Sequence, residues 1–204
     1  MKLAELEFRY GTMGSGKSML LLATAHNFQE KGIPFIALKP STDTREGDSA
    51  IHSRSLPERE CILVDEDVNI FEAVKNMVQI TEVTFRDKLK WVLVDEAQFL
   101  TPKQVDELAK IVDVLGISVL CYGLRTDFRT KMFPGSKRLF EIADTIEEVK
   151  SSCHCGNKTI VNARVDVNGN IVTEGEQVEI GGDERYVSLC RKCYNQKLKN
   201  KNLI

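Results

Sequence analysis

An eight-residue run, Gly11-Thr12-Met13-Gly14-Ser15-Gly16-Lys17-Ser18, does most to limit what this chain can fold into. It satisfies Gly-x-x-x-x-Gly-Lys-Ser/Thr, and its flanks supply what such a loop needs. Leu3 to Tyr10 reads as a strand and Met19 to Glu30 as a helix. A strand entering a glycine-rich turn and then a helix aims backbone N–H groups at phosphate oxygens, at the positive end of the helix dipole. Lys17 is placed to reach the outer phosphates and the Ser18 hydroxyl to hold Mg²⁺. Gly11, Met13, Gly14, Ser15, Gly16, Lys17 and Ser18 are therefore expected to form a nucleoside-triphosphate site. A purely structural glycine turn is the alternative, and the flanking strand and helix argue against it.

The rest of the N-terminal three quarters alternates strands with helices. Ile33 to Leu38, Cys61 to Val64, Trp91 to Val94 and Ser118 to Tyr122 are short apolar runs, as strands buried on both faces tend to be. Helical spacing recurs from about Val68 to Ile80, with Asp65 or Asp67 as its cap. It recurs again through Val105, Leu108, Ala109 and Val112, where Thr101 caps, Pro102 takes the first position and Gly116 stops the helix. Lys39 to Pro57 is polar and reads as a long loop, as does Thr126 to Arg138, with Leu139 to Ile142 helical. This alternation predicts an α/β fold: a parallel, P-loop nucleoside-triphosphate-binding sheet with flanking helices, over residues 1–148.

Near Thr145 the pattern changes. Cysteine pairs, an alternating stretch through Ile160 and Val165, and the hairpin signal Asn168-Gly169 follow. Residues 149–194 are expected to form a small β-rich, zinc-binding module, and the lysine- and asparagine-rich 195–204 a flexible tail.

Of six cysteines, Cys61 and Cys121 sit in apolar runs and read as small buried side chains. Cys153, Cys155, Cys190 and Cys193 cluster at the end. With no signal-peptide pattern after Met1 and no apolar stretch near the roughly 20 residues of a bilayer span, a cytoplasmic protein is expected. There, paired cysteines point to metal more than to disulfides. Four protein ligands would make the zinc structural, with no open position for catalysis. A formal charge of -2 gives no electrostatic case for a nucleic-acid or membrane partner.

Asp95 and Glu96 follow the apolar strand Trp91 to Val94. An acid at the end of a neighbouring strand can face Mg²⁺ beside Ser18, and the next one can take a proton from an attacking hydroxyl or water. The acceptor stays open at this point: a hydroxyl makes a kinase, water an ATPase.

The chain resembles the thymidine kinases of the zinc-containing, P-loop type (type II), in their bacterial and bacteriophage branch. The likeness rests on Gly11 to Ser18, Asp95-Glu96-Ala97-Gln98-Phe99, Tyr122-Gly123-Leu124, Ile180-Gly181-Gly182 through Tyr186, and Cys190-Arg191-Lys192-Cys193. The resemblance implies transfer of the γ-phosphoryl of ATP to the 5′-hydroxyl of thymidine, or of deoxyuridine, with Mg²⁺ and a structural zinc. It makes Glu96 the general base, with Lys17 and Arg45 serving the transferred group and Asp43 beside them. Met13, Phe99, Leu124, Phe128 and Phe133 would enclose the base. Tyr186 and the backbone of Val178, Glu179, Ile180 and Gly181 would close over it. Asn162 stands where the family has a threonine near the base, and Gln98 is expected to hold a neighbouring group by a hydrogen bond. Thymidine triphosphate as feedback inhibitor and a homotetramer are implied likewise.

The first cysteine pair departs from the family's Cys-x-x-Cys, being Cys153-His154-Cys155. Three readings stay open: both cysteines bind through an altered turn, His154 replaces one, or the thiols are free. Rival functions are a P-loop ATPase, a kinase of another deoxynucleoside, and a nucleic-acid binder using Arg191, Lys192, Lys197, Lys199 and Lys201. Acid at Glu174, Glu176, Glu179, Asp183 and Glu184 counts against the last.

Overall fold

The computed structural model describes residues 3–41, 49–53, 56–80, 89–177 and 185–201. Within them β1 (Leu6–Gly11), β2 (Phe35–Pro40), β5 (Ile62–Val64), β6 (Trp91–Val94), β7 (Ser118–Leu124) and β8 (Thr145–Val149) form one sheet, in the order β5-β2-β6-β7-β1-β8. Every ladder in it is parallel. Parallel neighbours require crossovers, and these are the helices α1 (Lys17–Glu30), α2 (Ile70–Ile80), α3 (Pro102–Lys110) and α4 (Pro134–Ile142).

The period of two along each strand divides the core. Val92, Val94, Val119 and Cys121 face α2, α3 and α4 through Ile70, Val74, Val105, Leu108 and Leu139. Leu93, Leu120 and Tyr122 face α1 through Leu21, Leu22 and Ala25. Both faces are covered, which is why these strands read as unbroken apolar runs.

Several boundaries differ from the sequence reading. The cap of α2 is Asn69, whose Oδ1 accepts from the Glu72 N–H at 2.9 Å, and neither Asp65 nor Asp67 takes that place. The polar stretch after β2 contains β3 (Ala50–Ile51), paired antiparallel with β4 (Arg59–Glu60) and buried through Ile51. Helix α4 begins at Pro134, within the expected loop. Strand β8, with Glu147 and Glu148, is an edge strand pairing only with β1 in the sheet, so it needs no apolar run. The α3 cap is as expected: Thr101 and Gln104 form a reciprocal capping box, with Pro102 at the first position.

After β8 a second, antiparallel pair follows, β9 (Val161–Arg164) with β10 (Tyr186–Leu189), then α5 (Arg191–Lys201). The expected frayed tail is therefore helical as far as Lys201. This part has its own small core of Val161, Ala163, Ile171 and Leu189 with Cys153, Cys190 and Cys193. Among the described residues no helix is long and apolar enough to cross a membrane.

Candidate active site and cysteine cluster

The carboxyl ends of β1, β6 and β7 meet, and the candidate residues gather there, as ligands do in open parallel sheets. The turn after β1 uses Gly14 and Gly16 at φ 69° and 86°, a left-handed geometry that opens its N–H groups toward one point. Gly16 stands at the start of α1 with no side-chain cap, so the first-turn N–H groups are left to a ligand. Lys17 is buried and its Nζ donates to the Thr12 carbonyl at 2.9 Å, folded over the loop. Ser18 Oγ donates to Asp95 Oδ1 at 3.4 Å, which joins the loop to the acid pair.

Asp95 is 4% exposed. Burial first, and the neighbouring Glu96 carboxylate second, push its pKa up to about 7. The unfolded value lies near 4, so between about pH 4 and pH 7 the folded chain keeps a proton that the unfolded chain releases. The cost of the buried charge is thus absent below pH 4 and complete above pH 7. Asp95→Asn is expected to stabilise the ligand-free protein on the order of 2 kcal/mol at pH 8 and by clearly less at pH 5. Thermal melts at the two pH values check this; an equal gain at both would remove the charge explanation.

Glu96 adopts φ 50°, ψ 37°, a left-handed conformation rare for a residue with a side chain. It stands at the start of a short 3₁₀ turn, Ala97–Phe99. Gln98 holds that turn: its Nε2 donates to Glu96 Oε2, and its Oε1 accepts from the Leu124 N–H at 2.9 Å. Gln98 is buried and joins Glu96 to the end of β7. Helix α4 presses on the same turn. A Cβ at Gly135 would strike the Leu100 carbonyl and come within 2.8 Å of the Ala97 carbonyl, both backbone. Gly135→Ala is accordingly expected to cost about 3 kcal/mol by overpacking, and to lower turnover by displacing Glu96. Urea denaturation and initial rates on the variant measure the two effects.

Phe99 and Phe133 pack edge to face at 5.6 Å, and Leu124 meets the same 3₁₀ turn through its N–H bond to Gln98. Phe128 is fully buried, and the Arg164 guanidinium lies 3.8 Å over its ring. That guanidinium covers one face of a ring expected to meet a base. Tyr186 is half-buried, its hydroxyl accepting from Arg164 Nε and Nη2 at 3.0 and 2.7 Å. Asn162, expected near the base, has both ends of its amide bonded to backbone. Its Oδ1 accepts from the Met13 N–H at 2.8 Å, and its Nδ2 donates to the Thr126 carbonyl at 3.0 Å. Asp43, Arg45, Val178, Glu179, Ile180 and Gly181 lie outside the described residues.

Two residues outside the expected set organise this end of the sheet. Asp127 is buried and accepts from the Arg129 and Lys131 N–H groups, the Arg129 guanidinium and Gln177 Nε2. Arg164 also donates to the Glu176 carbonyl at 3.0 Å. A sequence signal for Arg164 existed: Asn162 and Arg164 alternate with the apolar Val161, Ala163 and Val165.

The four sulfurs of Cys153, Cys155, Cys190 and Cys193 lie within 4.8 Å of one another. Zinc–sulfur bonds of about 2.3 Å in a tetrahedron require sulfur–sulfur edges of roughly 3.8 Å, so the cluster fits a zinc ion. The shortened pair works through a tight turn: the Gly156 N–H reaches the Cys153 carbonyl at 2.8 Å, with Gly156 at φ 83°. Hydrogen bonds from Asn157 are the main cause that lowers the Cys155 pKa to about 6, toward the thiolate that metal prefers. His154 stands at the rim, its Nε2 3.6 Å from Cys193 Sγ. The four-cysteine reading is therefore the one this geometry favours.

A family model described as thymidine kinase matches residues 4–194. The chain is 42% identical over 195 residues to a thymidine kinase of Mannheimia succiniciproducens, covering 96% of this chain and 97% of that one. It is 45% identical over 194 residues to the thymidine kinase of Enterobacteria phage T4, covering 95% and 97%. It is 46% identical over 191 residues to a thymidine kinase of Xanthomonas axonopodis pv. citri, covering 93% and 88%.

Proposed function

The chain belongs to the thymidine kinase family, and from that membership we propose how its residues divide the work of moving a phosphoryl group from ATP to thymidine. The chain is an ATP-dependent thymidine kinase; the division of labour is our reading. The observation that carries it is the contact of Ser18 with Asp95, which brings the phosphate loop and the acid pair to one point.

The N–H groups of Gly14 to Lys17 receive the triphosphate, and Lys17 leaves the Thr12 carbonyl for the outer phosphates. Ser18 and Asp95 offer the hard oxygen ligands that suit Mg²⁺, which when bound with ATP would neutralise charge on the phosphates. Glu96 accepts the proton of the 5′-hydroxyl as that oxygen attacks the γ-phosphorus, the bond from that phosphorus to the β–γ bridging oxygen breaks, and ADP leaves. Gln98 and the packing at Gly135 hold its carboxylate in place. Met13, Phe99, Leu124 and Phe133 enclose the thymine, with Phe128 behind them and Tyr186 and residues 178–181 closing over it. Arg45, with Asp43 beside it, stabilises the charge that develops on the transferred group.

Family membership also supports deoxyuridine as a second acceptor, thymidine triphosphate as an inhibitor in the acceptor pocket, a homotetramer and a cytoplasmic location. The chain leaves the main sheet after Val149, which supports a division near this point between an ATP-binding part, proposed as 1–148, and a zinc and lid part, proposed as 149–194.

A phosphotransfer assay with Mg-ATP and a nucleoside panel tests the reading. Thymidine and deoxyuridine are expected to yield 5′-monophosphates, and deoxycytidine to yield little. ATP hydrolysis that proceeds equally without an acceptor would replace the kinase with an ATPase.

A further inference from the structure

The ribbon of β9 and β10 presents two different faces. Val161, Ala163 and Leu189 enter the cysteine-module core. The alternate positions are polar, and they pair directly across the ribbon: Asn162 with Ser188, Arg164 with Tyr186. This polar face meets the phosphate loop. Asn162 Oδ1 accepts from the Met13 N–H at 2.8 Å, and Ser188 Oγ donates to the Met13 carbonyl at 2.6 Å. Both backbone groups of one phosphate-loop residue are thus held by one pair of facing side chains. Thr12 is held too, its hydroxyl 3.0 Å from Ser151 Oγ and 2.8 Å from Thr159 Oγ1.

Asn162 has a second arm. Its Nδ2 donates to the Thr126 carbonyl at 3.0 Å, on the segment that carries Asp127 and Phe128. The amide is 3% exposed, so neither bond competes freely with water. An amide, with an acceptor and a donor on separate atoms of one planar group, can span these two backbones. A threonine hydroxyl sits on a shorter arm and carries both functions on one oxygen.

We propose that Asn162 is a positioning residue that locks Met13 of the phosphate loop to Thr126 of the nucleoside wall, so that ATP and thymidine each tighten the other's binding. Phosphate binding sets the position of the loop around Met13, and Asn162 passes a shift of that position to the wall. Because coupling between two binding sites is reciprocal, thymidine sharpens the loop to the same degree. The inference rests on the assignment of Met13 and the segment after Thr126 to the acceptor pocket.

Titration calorimetry tests it. Thymidine is titrated into the zinc-loaded protein with and without Mg²⁺ and an ATP analogue whose β–γ bridge is NH. In the natural protein the analogue is expected to tighten thymidine about fivefold or more. Asn162→Ala should bring that ratio toward one. Asn162→Asp is nearly isosteric and keeps the Met13 acceptor, but sets an oxygen against the Thr126 carbonyl; it should do the same. Metal content and melting temperature identify variants that have merely lost their fold, and Ser188→Ala, which loosens Met13 from the other side, then supplies the readout by a partial loss of coupling. A ratio unchanged in folded variants, or a ratio of one in the natural protein, overturns the proposal. Failure of the natural protein to bind thymidine at all would instead overturn the pocket assignment, and the proposal with it.

Discussion

Glu96→Gln is expected to lower the rate of phosphoryl transfer about 10²- to 10⁴-fold while ATP binding stays within about twofold. The substitution keeps volume and planarity and removes the proton acceptor. The left-handed backbone at Glu96 and the Gln98 contact aim this carboxylate, and both involve the residue's position more than its charge. A glutamine can keep the turn, so lost activity would report chemistry and not folding. The proposed ATP and Mg²⁺ contacts come from residues 11–18 and Asp95, not from the Glu96 side chain, which is why the two measurements should separate. Single-turnover rates with thymidine, beside direct titration of the ATP analogue, provide them. A folded Glu96→Gln variant with full turnover would take the general-base role away from Glu96.

The second large effect belongs to the cysteine cluster. Cys190→Ser is expected to remove the zinc and unfold the region from Cys153 to α5, abolishing thymidine binding. Apolar support there is slight: among the described residues, Val161, Ala163, Ile171 and Leu189 form its buried core apart from the cysteines. A core that small does not ordinarily stand alone, and structural zinc supplies about 10–16 kcal/mol of folding free energy in comparable small modules. Cys190 is central to the cluster, its sulfur 3.5 Å from Cys155 Sγ and accepting from the Cys193 N–H at 3.5 Å. His154→Ala should keep one zinc per chain, since the four sulfurs complete a tetrahedron without the imidazole. Elemental analysis with thermal melts decides both. Zinc retained by Cys190→Ser and lost from His154→Ala would reverse the ligand assignment.

The parts that were legible are those whose physics is local. The phosphate loop is contiguous, so spacing alone carries its geometry, and Thr101-Pro102 with Gln104 caps α3 within four residues. Strands buried on both faces announce themselves as apolar runs. An edge strand has no such obligation, and Thr145 to Val149 passed for the start of another region. The acid at Asp65 and Asp67 offered caps as good as Asn69 by composition, and only the path of the chain chose among them. The family resemblance put Asn162 near the base and carried no information on the partners of its amide. That amide is in fact shared between residues 149 and 36 positions away.

By itself, then, the sequence determined that this chain handles a triphosphate, with which loop and beside which acids, and that its last quarter gathers four thiols. Tertiary structure decided which groups those parts lean on: Gln98 under Glu96, Gly135 against the turn, Arg164 over Phe128, and Asn162 between Met13 and Thr126. The reason is the range of the interactions. Backbone turns and helix caps are settled within a few residues, whereas a buried amide or guanidinium takes whatever partner the fold brings within 3 Å, from any distance along the chain.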